Sequence, residues 1–379
     1  MVAGAGVLAS QRSHCATGSS MASRQVRAHY LRPDADELDV LEALKRQHPT
    51  VNLTWGDSLP SSPKPPGAAP VEVLITRLPT AAELDSLPQL RHVVVPFAGP
   101  TELTKSLVKE RPALSLHNAH FNAASTAELA VSLLLAVAKR VVAQDAAFRA
   151  EVVAGTPWTT GWDPEADTSL TLAGRRALIL GYGAIGSRVG VALSALGMDV
   201  HAVRRSAGGS NQAAGSGNSG ARRGEVAMHG LGELDALLAS SDVVVVCLPG
   251  TPATANLLGD RELRLLPRGS LLVNVGRGSV IDEDALFGCL ADGHLGGAGI
   301  DVWYNYPQLQ GQGIGKGLAL NQGPAARPFH ELRNVVMSPH RGQSSDIKAA
   351  NRVGELFGML SALSDTGDLP NRYDLDRGY

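Results

Sequence analysis

The stretch 178–206, LILGYGAIGSRVGVALSALGMDVHAVRRS, decides how the rest of the chain is read. An apolar run ending at Leu180 feeds straight into Gly181-Tyr182-Gly183-Ala184-Ile185-Gly186. The spacing of Val189, Leu193 and Leu196 then predicts a helix stopped at Gly197, and residues 198–203 read as a second strand. Strand, glycine turn, helix, strand is the setting in which GxGxxG marks a dinucleotide site rather than an ordinary turn. Gly181 makes the tight turn, Gly183 admits a pyrophosphate to the backbone, and Gly186 lets the helix pack on the strand. The helix N-terminus offers unpaired N–H groups and a partial positive charge to the phosphates. After the second strand, NAD-specific folds place Asp or Glu against the ribose 2′-hydroxyl. Here Arg204, Arg205 and Ser206 stand there, and the nearest acid, Asp199, lies at the far end of the strand. Two guanidinium groups and a hydroxyl suit a 2′-phosphate, so NADPH is the expected cofactor, with NAD the lesser option.

Composition sets wider limits. A length of 379 residues suggests two domains, and 44% apolar residues is enough for a sizeable core. A net charge of −2 gives no electrostatic reason to expect nucleic acid or an anionic membrane as partner. Cys15, Cys247 and Cys289 form neither a zinc spacing nor a disulfide framework, and Cys247 and Cys289, in apolar runs, read as buried reduced thiols. No stretch approaches the ~18 uninterrupted apolar residues of a membrane span. Residues 1–33 contain no Asp or Glu but carry Arg12, Arg24, Arg27 and Arg32 among Ser and Ala, which predicts an organellar transit segment ending near residue 24. An unaddressed leader is the alternative, and chloroplast and mitochondrion are not separable.

Strands are expected at 25–31, 71–76 and 91–96, with helices at 34–47 and 80–87, which makes a small α/β unit with a parallel sheet. Residues 125–150 read as one long bridging helix capped by Ser125 or Thr126. Beyond the fingerprint, strands are expected at 242–248, 270–275, 298–303 and 334–338. A final helix at 347–363 precedes a polar tail. The Gly- and Ser-rich segment 207–224 reads as a disordered insert, and 308–327 as a loop.

Several segments resemble, in order, the D-isomer-specific 2-hydroxyacid dehydrogenase family. These are HFNAASTAELAVSLLLAVAKR, GYGAIGSRVG, CLPGTPATANLL, NVGRGSVIDEDAL, AGIDVW and SPHRG, spread over about residues 70–365. The resemblance implies an α/β fold of two Rossmann-like domains with parallel sheets. A doubly wound NAD(P)-binding domain (141–343) would be inserted into a split substrate domain (25–140 and 344–379). It further implies a homodimer and a small 2-oxo acid substrate such as glyoxylate or hydroxypyruvate.

The reaction implied is hydride transfer to the carbon bearing the 2-oxo group, and the resemblance assigns the parts. Arg277 holds the substrate carboxylate through its planar fork. His340, just past the last strand, is the proton donor. The Ala98 and Gly99 N–H groups form a second carboxylate cradle, with Phe97 and Asn122 beside it. Asp301 binds the nicotinamide carboxamide. Thr126, Leu248, Pro249, Thr254, Val275, Gly276 and Gly342 complete the cofactor contacts. One position departs from the family: Tyr306 stands before Pro307 where a glutamate usually charges the histidine. A phenol could orient the imidazole but brings no carboxylate to favour imidazolium. Two alternatives therefore stay open, a dinucleotide-sensing interaction protein of the corepressor type and a dehydrogenase of formate or another small anion.

Overall fold

The computed structural model describes residues 24–60, 70–158, 169–204, 226–306 and 323–379. The proposed leader (1–23 of it), Arg205, Ser206, Pro307, the 207–224 insert and most of the 308–327 loop lie outside the described residues. The fold is α/β, with two parallel sheets.

The first sheet has five strands: β1 (Val26–Leu31), β2 (Val51–Gly56), β3 (Val73–Ile75), β4 (His92–Val95) and β5 (Ser115–Asn118), in the order β2-β1-β3-β4-β5. Its helices are α1 (Leu38–Gln47), α2 (Ala81–Asp85) and α3 (Glu102–Lys109). The sequence reading lacked β2, β5 and α3. The signal for β2 was present, since Val51 and Leu53 are buried and Asn52 and Thr54 exposed, a half-buried alternation. For β5 there was little signal, because Leu116 is its single aliphatic residue, and the buried His117 and Asn118 have polar partners.

The expected helix over 125–150 is two helices. The first, α4 (Ala123–Ala138), starts after Asn122, and α5 (Val141–Ala154) follows a break at Arg140, whose φ is +54°. Ser125 and Thr126 thus lie inside the first turn rather than capping it, and their hydroxyls are used elsewhere.

The second sheet has seven strands: β6 (Arg176–Leu180), β7 (Asp199–Val203), β8 (Ala227–His229), β9 (Val243–Val246), β10 (Ser270–Asn274), β11 (Leu295–Ile300) and β12 (Val335–Met337). Their order is β12-β11-β10-β9-β6-β7-β8. Its helices include α6 (Ala184–Ala195), α7 (Leu234–Leu238), α8 (Asp260–Leu265) and α9 (Glu283–Ala291). Buried runs such as Val243–Val246 are apolar on both faces because helices cover both. On β11, a Cβ at Gly297 would lie 2.7 Å from Val137 and one at Gly299 2.8 Å from Leu133, so α4 can seat only against glycine.

The last helix, α10 (Lys348–Thr366), returns to the first sheet, where Val353, Phe357, Leu360 and Leu363 join Val26, Tyr30 and Leu41 in one core. The segment after it is not a free polar tail. Tyr373 is buried and donates its N–H to the Leu116 carbonyl at 2.8 Å, so the chain end covers the β5 edge. No described helix is long and apolar enough to cross a membrane.

Candidate active site

The second sheet reverses its winding between β6 and β9, and the glycine turn lies at that switch point, where open α/β sheets bind ligands. Gly181 has φ +95°, which favours glycine, and a Cβ there would also lie 3.1 Å from the Cys247 carbonyl. Gly183 precedes α6, and nothing lies within 4 Å of the place its Cβ would take, leaving that side open to a pyrophosphate. At Gly186 a Cβ would fall 2.0 Å from the Gly181 oxygen, so helix and strand meet there with no room for a side chain. Tyr182 lies over Gly190 of α6. Around the crevice, the Thr254 hydroxyl donates to the Pro249 carbonyl at 2.7 Å, and Val275 N–H to Val246 O at 3.1 Å. Gly276 allows its strand end to close on Leu248, whose oxygen would be 2.5 Å from a Cβ. Arg204 immediately follows β7, its N–H donating to the His229 carbonyl at 3.2 Å.

At the end of β10, Asn274 shapes the turn that carries Arg277. Its Oδ1 accepts the Gly276 N–H at 3.1 Å and its Nδ2 donates to the Arg277 carbonyl at 3.0 Å. Gly278 lets this turn lie against the Trp303 backbone, since a Cβ would be 2.4 Å from the Trp303 oxygen. The guanidinium is steadied by Nη1 donating to Gly276 O at 2.8 Å and extends to the loop that follows β4. There a Cβ on Gly99 would be 2.9 Å from Nη2. The Ala98 carbonyl accepts from Asn118 Nδ2 at 2.7 Å, which turns that peptide and holds the loop. Arginine and cradle loop are therefore immediate neighbours. Gly99→Ala should leave the melting temperature unchanged, because the added methyl meets only a flexible side-chain end. Displacing Nη2 should nevertheless raise KM for a 2-oxo acid roughly tenfold, the value of one charge-assisted hydrogen bond; an unaltered KM would refute the shared pocket.

His340 follows β12 with φ +55°, in a loop tied down from below. Asp301, buried at 1% exposure, accepts from the Ser338 hydroxyl, from Arg341 N–H at 2.7 Å and from Gly342 N–H at 2.9 Å. The Gly342 carbonyl in turn accepts from Ser125 Oγ at 2.8 Å and Thr126 Oγ1 at 2.9 Å, so the first turn of α4 holds the histidine loop. Asn122 lies at the start of α4, its carbonyl accepting the Thr126 N–H at 2.9 Å. A carboxylate has about four acceptor positions, and three at Asp301 are taken by this loop. Shaping the loop is a role that the sequence reading, which gave Asp301 only the carboxamide, missed. Trp303 is buried core and donates Nε1 to the Ser338 carbonyl at 2.8 Å.

Tyr306 does meet His340, with ring centroids 5.4 Å apart and an interplanar angle of 63°. Its hydroxyl accepts the Trp303 N–H at 3.1 Å, so it steadies the imidazole by its ring edge and not by the expected phenol hydrogen bond. Burial holds the His340 pKa below the ordinary imidazole value; Asp301 opposes this and Arg277 adds to it. A proton donor must be protonated, so reduction should fall as pH rises through a value below ~6.5. Tyr306→Glu adds a negative charge beside the ring and should move that limb upward; superposable pH–kcat/KM profiles of the two proteins would exclude the effect.

The chain matches the family described as D-isomer specific 2-hydroxyacid dehydrogenase, NAD binding domain, over residues 131–342. It is 32% identical to D-3-phosphoglycerate dehydrogenase of Escherichia coli over 259 residues, 67% of this chain and 54% of that one. It is 29% identical to a glyoxylate/hydroxypyruvate reductase of Arabidopsis thaliana over 305 residues, 79% and 82% of the two chains. The chain thus spans about half the length of the first of these relatives. The crystal structure of a D-isomer specific 2-hydroxyacid dehydrogenase from Xanthobacter autotrophicus, in complex with NADPH and MES, has the same fold. Its TM-score is 0.65 at 23% identity, over 94% of this chain and all of the other. With the dinucleotide turn, the arginine turn and the histidine loop converging on one crevice, and the match extending across all three, the chain belongs to the D-isomer specific 2-hydroxyacid dehydrogenase family.

Proposed function

We propose that the protein reduces a small 2-oxo acid, of the size of glyoxylate or hydroxypyruvate, at the expense of NADPH. The observation that carries this reading is the approach of the Arg277 guanidinium to Gly99, which brings a cation capable of bidentate carboxylate binding next to the backbone of the cradle loop. NADPH, when bound along Gly181–Gly186, supplies the hydride. Arg277 and the Ala98 and Gly99 N–H groups hold the substrate carboxylate. His340 delivers the proton to the 2-oxo oxygen as negative charge develops there. The cofactor preference rests on Arg204 at the end of β7, where an acid would otherwise favour NAD. The test is one panel: NADPH or NADH with glyoxylate, hydroxypyruvate, pyruvate and formate, followed at the nicotinamide absorbance. Oxidation of NADPH by a 2-oxo acid, with tighter binding of NADPH than NADH, is the expected result. Tighter NADH binding would overturn the preference.

A second reading, a dinucleotide-sensing interaction protein, is favoured by Tyr306, which gives His340 no carboxylate and has its hydroxyl on the backbone. Silence across the panel with retained cofactor binding would select it. We also propose a homodimer. Helix α5 buries none of its residues and exposes Val141, Val142, Phe148, Val152 and Val153, a patch that a second copy would cover. Sedimentation at a monomer's rate at micromolar concentration would exclude this. The acid-free leader supports an organellar address, which microscopy of a full-length fusion against one lacking residues 1–24 would test.

A further inference from the structure

Three strand ends of the first sheet meet at its centre, and an arginine from the far end of the chain is threaded among them. Arg352, on α10, is 1% exposed. Its Nη1 donates to Asp34 Oδ2 at 2.8 Å and to Glu37 Oε1 at 2.7 Å. Glu37, itself fully buried, also accepts from the Tyr30 hydroxyl at 2.9 Å, and Asp34 is shared with Arg77, just past β3. Two cations and two carboxylates thus balance here, with Arg352 and Glu37 in the interior and Asp34 and Arg77 half-buried at its edge. The guanidinium plane has a further use. Its carbon lies 4.7 Å from the centre of the Phe97 ring and 4.6 Å from that of Phe121, while Arg77 lies 5.0 Å from Phe97. Phe97 immediately precedes the Ala98-Gly99 cradle, and Phe121 immediately precedes Asn122, where α4 begins. Nothing in the ion pairs demands this contact with the rings, since any cation would neutralise Glu37.

We infer that Arg352 is a positioning residue for the substrate: by lying over Phe97 and Phe121 together it fixes the cradle loop relative to the helix that holds the histidine loop. The inference rests on the function proposed above. A guanidinium held over both inclined rings limits the cradle's travel, and a displacement of about 1 Å in a carboxylate-holding group can cost up to ~100-fold in rate. Lysine would keep the charge opposite Asp34 and Glu37 but not the planar contact.

Two variants test this. Arg352→Lys preserves the buried charge balance, and Arg352→Met combined with Glu37→Gln leaves no unpaired charge there. Each should fold, bind NADPH as tightly as wild type by fluorescence titration, and show KM for the 2-oxo acid raised about tenfold, with the smaller change in kcat. Folded variants with wild-type KM overturn the inference while leaving the function standing. Loss of NADPH binding or of the folding transition in both variants also overturns it, because the role would then be structural. A wild-type protein that turns over no 2-oxo acid overturns the function and the inference together.

Discussion

His340→Asn should lower turnover of a 2-oxo acid by about 10²–10⁴-fold, the contribution of a positioned general acid. Asparagine is the informative replacement because His340 has φ +55°, a conformation that Asn tolerates and most residues do not. The loop should therefore keep its shape, with Asp301 still accepting the Arg341 and Gly342 N–H groups. NADPH affinity should not change, since the dinucleotide turn lies on other strands. The measurement is kcat by absorbance alongside Kd by fluorescence. A variant within threefold or so of wild-type kcat would be incompatible with a general acid at this position. Arg277 provides a contrast, since its loss should appear in KM as well as kcat.

Gly186→Ala is expected to abolish measurable NADPH binding and to destabilise the cofactor domain by about 1–3 kcal/mol or more, the cost of overpacking. The added Cβ would be 2.0 Å from the Gly181 oxygen, a backbone atom that cannot rotate away. Either α6 lifts from β6 or the Gly181 turn opens, and both destroy the surface a pyrophosphate would lie on. Gly288→Ala in α9 is the control. No atom lies within 4 Å of its Cβ position, and the helix should gain about 0.5–1 kcal/mol from the substitution. Thermal unfolding of the pair, with NADPH titration, separates a local clash from a general intolerance of alanine. Equal melting temperatures and equal NADPH affinity would rule the packing argument out.

The cofactor sheet was legible because each of its inner strands is an apolar run ending in a special turn. The alternation of Val51, Leu53 and Trp55 with polar residues marks β2 as well, although only its first half alternates in burial. The break at Arg140 was not legible: residues 125–150 are helix-forming throughout, and no glycine or proline marks the left-handed residue between α4 and α5. The path of the chain end was equally hidden, since the pairing of His117 with Arg372 joins residues far apart in sequence.

The residues 178–206 by themselves determined that the protein has a dinucleotide fold. Tight turn, close approach and helix packing are local demands, and glycine spacing states them within six residues. The ordered motifs likewise determined that Arg277 and His340 stand at strand ends. Tertiary structure alone decided what those residues face. The meeting of Arg277 with Gly99, the tie from Thr126 through Gly342 to Asp301, and the contact of Arg352 with Phe97 and Phe121 all join distant segments. Such contacts depend on how two sheets are set against each other and on which buried donor finds which acceptor. A sequence states those needs but not their partners, because satisfying a buried charge or N–H is a property of the assembled interior.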